Sequence, residues 1–336
     1  MPNIDLNKVI VKTIIKQTIN GIYKDPQRTI RRCVEHGCYH AKGRFQSALF
    51  NATYNILQNN DSNYYPYIHR IVSDVDPEIL NTFAFNVGYN SFTSGAKLIR
   101  KYEAEKRFNI PWAISFYIER FSKNIDILLR TIISQGINFG IFTYFVFCSI
   151  NIVKKLTSVF ASYPDCAFVI ITEPEFIGDH ELTEIRKLKN ILLSLNSASP
   201  SYFEAAHRAH KQRILYSAHL YYDKSMLSNI LFGKLLKTLL PSGCMTLMLI
   251  PNSKCSLDTC EAATEYAIKM RENPSHPLLP IELISGIKQI DHIISDDSCA
   301  LSIDIEGNVF NSSRSLCNIN AFSTNLSDIL KEACPK

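Results

Sequence analysis

The run PWAISFYIERFSKNIDILLRTIISQGINFGIFTYFVFC, residues 111–148, decides how the rest of the chain is read. Its first apolar segment, Ala113–Ile118, is short and almost unbroken, as in a strand covered on both faces. A helical pattern follows near Lys123–Gln135, and a second apolar strand is expected near Gly140–Phe147. Strand, helix and strand in that order make a parallel unit with a right-handed crossover.

Outward from this unit the alternation repeats. Strands are expected at Cys166–Thr172, Ile191–Asn196, Ile214–Tyr221, Cys244–Ile250 and Leu279–Ile284. Helices are expected between them, near Ile150–Ser162, Asp179–Lys189, Pro200–Gln212, Ser225–Leu240 and Leu257–Arg271. Strands separated by helices predict an α/β fold with a parallel sheet. No Gly-rich phosphate turn follows the first strand, which weighs against a dinucleotide-binding sheet. A partial (β/α) TIM-like barrel fits better. The tail reads as a β-hairpin: Ala300–Ile305, a Glu306-Gly307-Asn308 turn, then Val309–Asn311.

Upstream, apolar residues recur at helical spacing in Ile10, Ile14, Ile15 and Ile19, and again in Phe45, Leu49, Phe50 and Tyr54. Turn residues predict breaks at Gly21–Pro26, Gly37–Gly43 and Asn59–Asn63. Asp76 and Pro77 are placed to cap and open another helix, and a further helix is expected from Ser94 to Arg107. The expected division is a helical domain over 1–108, the partial barrel over 109–294 and a small β-hairpin/helix extension over 295–336.

The bulk numbers suit this division. A chain of 336 residues, 46% hydrophobic and 20% charged, can bury a sizeable core. Net charge is +5, too mild to argue for a nucleic-acid partner. Met1–Ile22 is amphipathic, with Asp5, Lys8, Lys12 and Lys16 interrupting its apolar positions, and does not read as a signal peptide. Gly136–Ile150 is too short to span a bilayer, which takes ~20 residues. No transmembrane segment is expected, and the expected location is cytoplasmic. The 10 cysteines are scattered with no Cys-x2-Cys pair, so no zinc ribbon and no disulfide framework is expected.

Four segments together resemble the radical S-adenosylmethionine (SAM) proteins with a SPASM-type C-terminal extension. They are Phe108–Ala113 (FNIPWA), Ser134–Phe142 (SQGINFGIF), Leu301–Val309 (LSIDIEGNV), and Asn318-Ile319 followed by Ser327–Leu330. The resemblance implies a [4Fe–4S] cluster on a Cys-x3-Cys-x2-Cys loop after the first strand, and SAM beside it. Here that strand runs through Glu119-Arg120-Phe121 toward the next helix, and the cysteine spacing occurs nowhere. The Gly-Gly-Glu-Pro-like turn of the family is replaced by Cys148-Ser149-Ile150-Asn151, where Ile150 would obstruct SAM. The Ser-plus-acid pattern near the ribose becomes Ser194-Leu195-Asn196. The auxiliary cysteine expected after Val309 is absent, and Cys317 is the nearest thiol. With these departures the resemblance implies a degenerate member, a pseudoenzyme that has lost both [4Fe–4S] and SAM. It would bind or scaffold an intact relative, a peptide or a small molecule.

Alternatives stay open. An enzyme could reuse the barrel rim, with Glu119, Glu173, His219 and Tyr221 as catalytic candidates. Residual cofactor binding would fall to Asn151, Ser194 and Asn196, and a cluster could be built from distant cysteines. Glu173-Pro174-Glu175 stands where a barrel presents its ligand-facing rim, although a solvated loop fits as well. A mouth plugged by Phe116, Phe121, Phe145 and Phe147 would indicate a structural role. Cys33, His36, Cys38 and His40 are zinc-type ligands, but four of them within eight residues beside Gly37 cannot easily wrap one tetrahedron, so a helix end and loop is expected.

Overall fold

The computed structural model describes residues 6–41, 43–149, 151, 153–295 and 297–336. Six helices come first: α1 (Leu6–Lys24), α2 (Pro26–His40), α3 (Arg44–Ile56), α4 (Tyr64–Asp74), α5 (Pro77–Phe85) and α6 (Ala96–Lys106). Their starts follow local chemistry. The Asp25 carboxylate accepts from the Arg28 amide at 3.1 Å and Asp76 accepts from Glu78 at 2.9 Å, each ahead of a proline in the first turn. Between α5 and α6, Asn86–Gly95 is π-helical. The break expected from Gly37 is corrected, because α2 continues to His40. A Cβ at position 37 would lie 2.3 Å from the Phe50 ring, so glycine lets α3 pack closely on α2. Lys42 and Asp5 lie outside the described residues.

The barrel elements follow in alternation, with two helices in place of one between the fifth and sixth strands. They are β1 (Ala113–Ile118), α7 (Ile125–Phe139), β2 (Thr143–Cys148), α8 (Val153–Ser162), β3 (Ala167–Thr172), α9 (Asp179–Leu188), β4 (Ile191–Asn196), α10 (Tyr202–Lys211) and β5 (Tyr216–Tyr222). Then come α11 (Leu227–Leu231), α12 (Lys234–Leu239), β6 (Thr246–Pro251), α13 (Leu257–Glu272), β7 (Leu279–Glu282) and α14 (Leu283–Ile294). The chain closes with β8 (Leu301–Asp304), β9 (Asn308–Phe310), β10 (Leu316–Asn320) and α15 (Leu326–Ala333).

Among the described residues ten strands form one sheet in the order β10-β9-β8-β1-β2-β3-β4-β5-β6-β7. The run from β8 through β1 to β7 is parallel, with Ser115 opposite Ser302 and Tyr117 opposite Asp304. Only β9 and β10 are antiparallel. Among the described residues no ladder joins β7 to β8, so the curved sheet is an α/β partial barrel with a seam between those strands. Phe116, Tyr144 and Phe168 face the helices, Phe168 packing on Phe160 of α8 with ring centroids 4.6 Å apart. No helix among the described residues is long and apolar enough to cross a membrane.

Several expected boundaries move for local reasons. The second strand starts at Thr143, because Gly140 caps α7 at a φ of 95°. The seventh strand stops at Glu282, whose carboxylate accepts from the Ser285 amide at 2.6 Å and starts α14. The helix expected over Ser225–Leu240 is split at Gly233, at a φ of 67°. A disulfide, Cys299–Cys334, corrects the expectation that the thiols are unpaired. It joins residues 35 apart in sequence, the lead into β8 and the end of α15, where the Asn109 amide also donates to the Cys334 carbonyl at 2.8 Å.

Candidate functional site at the barrel mouth

The carboxyl ends of parallel barrel strands point to one rim, where side chains from successive loops converge. The loop after β1, residues 119–124, supplies Glu119, Arg120 and Phe121 and no thiol. Arg120 is ion-paired to Glu306 in the turn between β8 and β9, which fastens this loop to the C-terminal hairpin. Phe121 turns outward, with the Lys155 ammonium 3.7 Å from its ring centroid. After β2, the Ser149 amide donates to the Ile118 carbonyl at 3.2 Å. Ile150, expected to obstruct a cofactor, lies outside the described residues. The Asn151 side-chain amide donates to Glu181 at 3.2 Å. Cys148 is buried at the end of β2, and burial pushes its thiol well up, away from the thiolate form.

Within this rim lies a cavity of about 480 Å³. That is the size class of sites for small organic molecules. Its walls are aromatic and apolar: Tyr117, Phe147, Tyr221, Ile250, Ile284 and Phe310. Tyr117 and Phe147, side by side on β1 and β2, stack with centroids 4.6 Å apart and planes 14° from parallel. The mouth is therefore not plugged as the four phenylalanines suggested. Only Phe147 of the four lines the cavity; Phe116 faces the helices, and Phe145 sits deep against Trp112 at 6.2 Å.

The charged lining divides into satisfied and unsatisfied groups. The Asp304 carboxylate accepts from the Glu306 and Asn308 amides, both at 2.9 Å, and from the Asn308 side chain at 2.9 Å. Glu306 is paired with Arg120. Glu119 stands exposed at the rim. Arg314, from the loop between β9 and β10, also lines the cavity. Among the described residues its guanidinium has no hydrogen-bonded or ion-paired partner; it acts at longer range on Tyr117 and Glu282.

The remaining candidates lie behind or below Tyr221 on the β4–β5 wall. The Asn196 amide donates to both oxygens of Glu173, at 3.1 and 2.9 Å. Burial raises the Glu173 carboxyl, Asn196 opposes the shift, and neighbouring Glu175 adds to it. Burial likewise raises the Tyr221 phenol, with Glu173 as the next contributor. One layer deeper, His219 is fully buried, its Nδ1 is 3.2 Å from the Ser194 hydroxyl, and its Nε2 has no partner among the described residues. Burial drives its pKa down to about 3, so the imidazole is neutral at ordinary pH. The structure thus brings Glu119 and Tyr221 into one cavity, sets Glu173 with Asn196 beside it, and seals Ser194 with His219 beneath.

Cys33, His36, Cys38 and His40 all lie on α2, with the His36 and His40 rings stacked 5.8 Å apart. Among the described residues no three His, Cys, Asp or Glu side chains gather as metal ligands. Sequence reasoning missed Tyr117 and Arg314. The turn at 306–308 was legible, but nothing marked an arginine in a serine-rich loop as a cavity residue.

No family model matches this chain, and no curated protein matches it either. Among solved structures it is similar to Streptococcus suis SuiB, at 12% identity over 68% of each chain with a TM-score of 0.48. It is also similar to hexahistidine-tagged anSMEcpe with bound AdoMet, at 10% identity over 65% of this chain and 77% of that one, with a TM-score of 0.42. A 4-hydroxy-2-oxoglutarate aldolase/2-deydro-3-deoxyphosphogluconate aldolase from TTHB1 matches at 10% identity over 55% of this chain and 94% of that one, with a TM-score of 0.33. Likenesses of this size establish neither a family nor an activity.

Proposed function

We propose that this chain is a degenerate radical SAM-type barrel that binds a ligand at its mouth without a cluster and without radical catalysis. The observation that carries the reading is the pairing of a thiol-free loop, residues 119–124, with an open cavity at the same rim. A [4Fe–4S] cluster needs three or four thiolates around one site. The donor set at this rim does not fit one: the loop after β1 offers carboxylate, guanidinium and phenyl groups, Cys148 is buried and held in its protonated form, Cys255 and Cys260 beyond β6 add only a pair of thiols, and among the described residues no three His, Cys, Asp or Glu side chains gather as metal ligands. No step of the proposed function passes through a cluster or SAM.

Binding is favoured over a repurposed acid–base site by the scatter of the candidate groups. A general base must reach its proton within hydrogen-bonding distance. His219 is sealed in the core, and Glu173 is held by Asn196 outside the cavity lining. What faces the cavity is a stacked aromatic wall with a few polar groups, the composition of a recognition site. A small molecule, or one side chain of a peptide, matches its volume.

The test is turnover of SAM by the full chain after reconstitution with iron and sulfide and reduction under anaerobic conditions. The expected result is no SAM cleavage above a control without iron. Multiple-turnover cleavage overturns the proposal.

A further inference from the structure

The charges around the cavity are unequal in what they can still bind. Asp304 has its carboxylate occupied by the 306–308 turn, and Glu306 is neutralised by Arg120. Arg314 has no such partner among the described residues. It is held in place by its own loop. The Asn311 side-chain oxygen accepts from the Ser313 and Ser315 amides at 3.1 Å each, and the Arg314 amide donates to the Asn311 carbonyl at 2.9 Å. Arg314 itself adopts a left-handed φ of 60°, a conformation that costs energy for any residue with a Cβ. The tyrosines of the wall add neutral donors. Neither the Tyr117 nor the Tyr221 hydroxyl has a hydrogen-bond partner among the described residues, and burial keeps both phenols protonated.

Resting on the mouth-binding reading above, we propose that the ligand is a flat apolar or aromatic molecule bearing a single carboxylate, with Arg314 as the anion-binding residue and the Tyr117–Phe147 pair as the stacking wall. The guanidinium fork matches a carboxylate with two parallel N–H donors, and the wall accepts the apolar body. A dianion is disfavoured, because Glu119 and Asp304, whose charge its neutral amide donors leave in place, line the same cavity and only one guanidinium is free there among the described residues. The aromatic surface accounts for most of the contact area, and the arginine supplies the cationic contact that selects the carboxylate.

The experiment is calorimetric titration of the full chain with two isosteric probes, indole-3-propionate and indole-3-propionamide, repeated on Arg314→Gln and Phe147→Ala. The carboxylate is expected to bind about tenfold more tightly than the amide, the equivalent of ~1.4 kcal/mol. Arg314→Gln should bring the carboxylate down to the affinity of the amide and leave the amide unchanged. Phe147→Ala should weaken both probes together. Thermal melts of each variant show that it is folded, and Arg314→Lys provides a second variant that keeps the charge but loses the fork, expected between wild type and Arg314→Gln. Equal affinity for the two probes in the wild type, or a carboxylate preference that survives Arg314→Gln, overturns the anion assignment and leaves the mouth-binding reading standing. Failure of both probes to bind at millimolar concentration overturns the flat-ligand assignment, whereas the mouth-binding reading itself is overturned by turnover of SAM.

Discussion

Tyr117 and Phe147 occupy paired positions on neighbouring parallel strands, and their rings stack 4.6 Å apart across the mouth of the barrel. Two adjacent aromatics at the ends of inward-facing strand positions make a flat wall without help from any loop. The wall is as rigid as the sheet that carries it, which is what a pre-formed site needs.

Phe147→Ala should remove half of that wall. Phe147 is 6% exposed, so its loss also costs packing, roughly 3 kcal/mol, the low end for a buried ring because this one borders an open cavity. Chemical denaturation checks the stability change. An unchanged midpoint would mean that the ring is solvated and not packed on Tyr117.

His219 should make the fold acid-sensitive. Its folded pKa is depressed from 6.5 to about 3 by burial, so the unfolded chain takes up the proton first. The neutral imidazole's contribution is complete above pH ~6.5 and is lost progressively as pH falls toward ~3. Melting temperature measured from pH 7 to pH 4 should fall less steeply in His219→Gln than in the wild type. Parallel slopes would show that His219 is accessible to water.

Gly140 and Gly95 set the approach of α7 to the end of the π-helical segment. A Cβ on Gly140 would lie 2.5 Å from the Gly95 carbonyl oxygen, at a φ of 95° that disfavours side chains. Gly140→Ala should cost roughly 3 kcal/mol. Gly88, where an added Cβ would have no atom within 4 Å, is the control: Gly88→Ala should change stability by less than about 1 kcal/mol. Equal effects from the two substitutions would contradict the close packing.

The Cys299–Cys334 bridge closes a loop of 35 residues that contains β8, β9, β10 and α15. In the chain-entropy model a loop of this length contributes roughly 3–4 kcal/mol. Cys334→Ser, or reduction of the wild type, should lower the melting temperature accordingly. No change on reduction would mean that the 299–334 segment is held by packing alone.

Much of the barrel was legible from residues because each strand is a short apolar run, and such runs as Thr143–Cys148 and Ala167–Thr172 are buried along their whole length. The helix start at Pro77 was legible because capping is local, whereas Pro26, read only as the end of a break, opens α2 behind the Asp25 cap. What was not legible is non-local. The pairing of Ser302 with Ser115 and the Cys299–Cys334 bridge depend on how the chain's end returns to β1. The site divides the same way. Glu119 and Tyr221 could be nominated from strand ends, whereas Arg314 sits in a loop whose place beside the mouth follows only from the hairpin's register. The inward or outward direction of Phe116 and Phe147 likewise depends on strand parity relative to the helices.

The absence of a cluster from the barrel mouth is the proposal on which the others depend. It is tested most directly by anaerobic iron and acid-labile sulfide analysis, with an absorption spectrum, of the full chain after reconstitution with iron and sulfide. No stoichiometric iron or sulfide and no absorption that bleaches on reduction are expected. Close to four irons and four sulfides per chain, with a reducible absorption band, would contradict it.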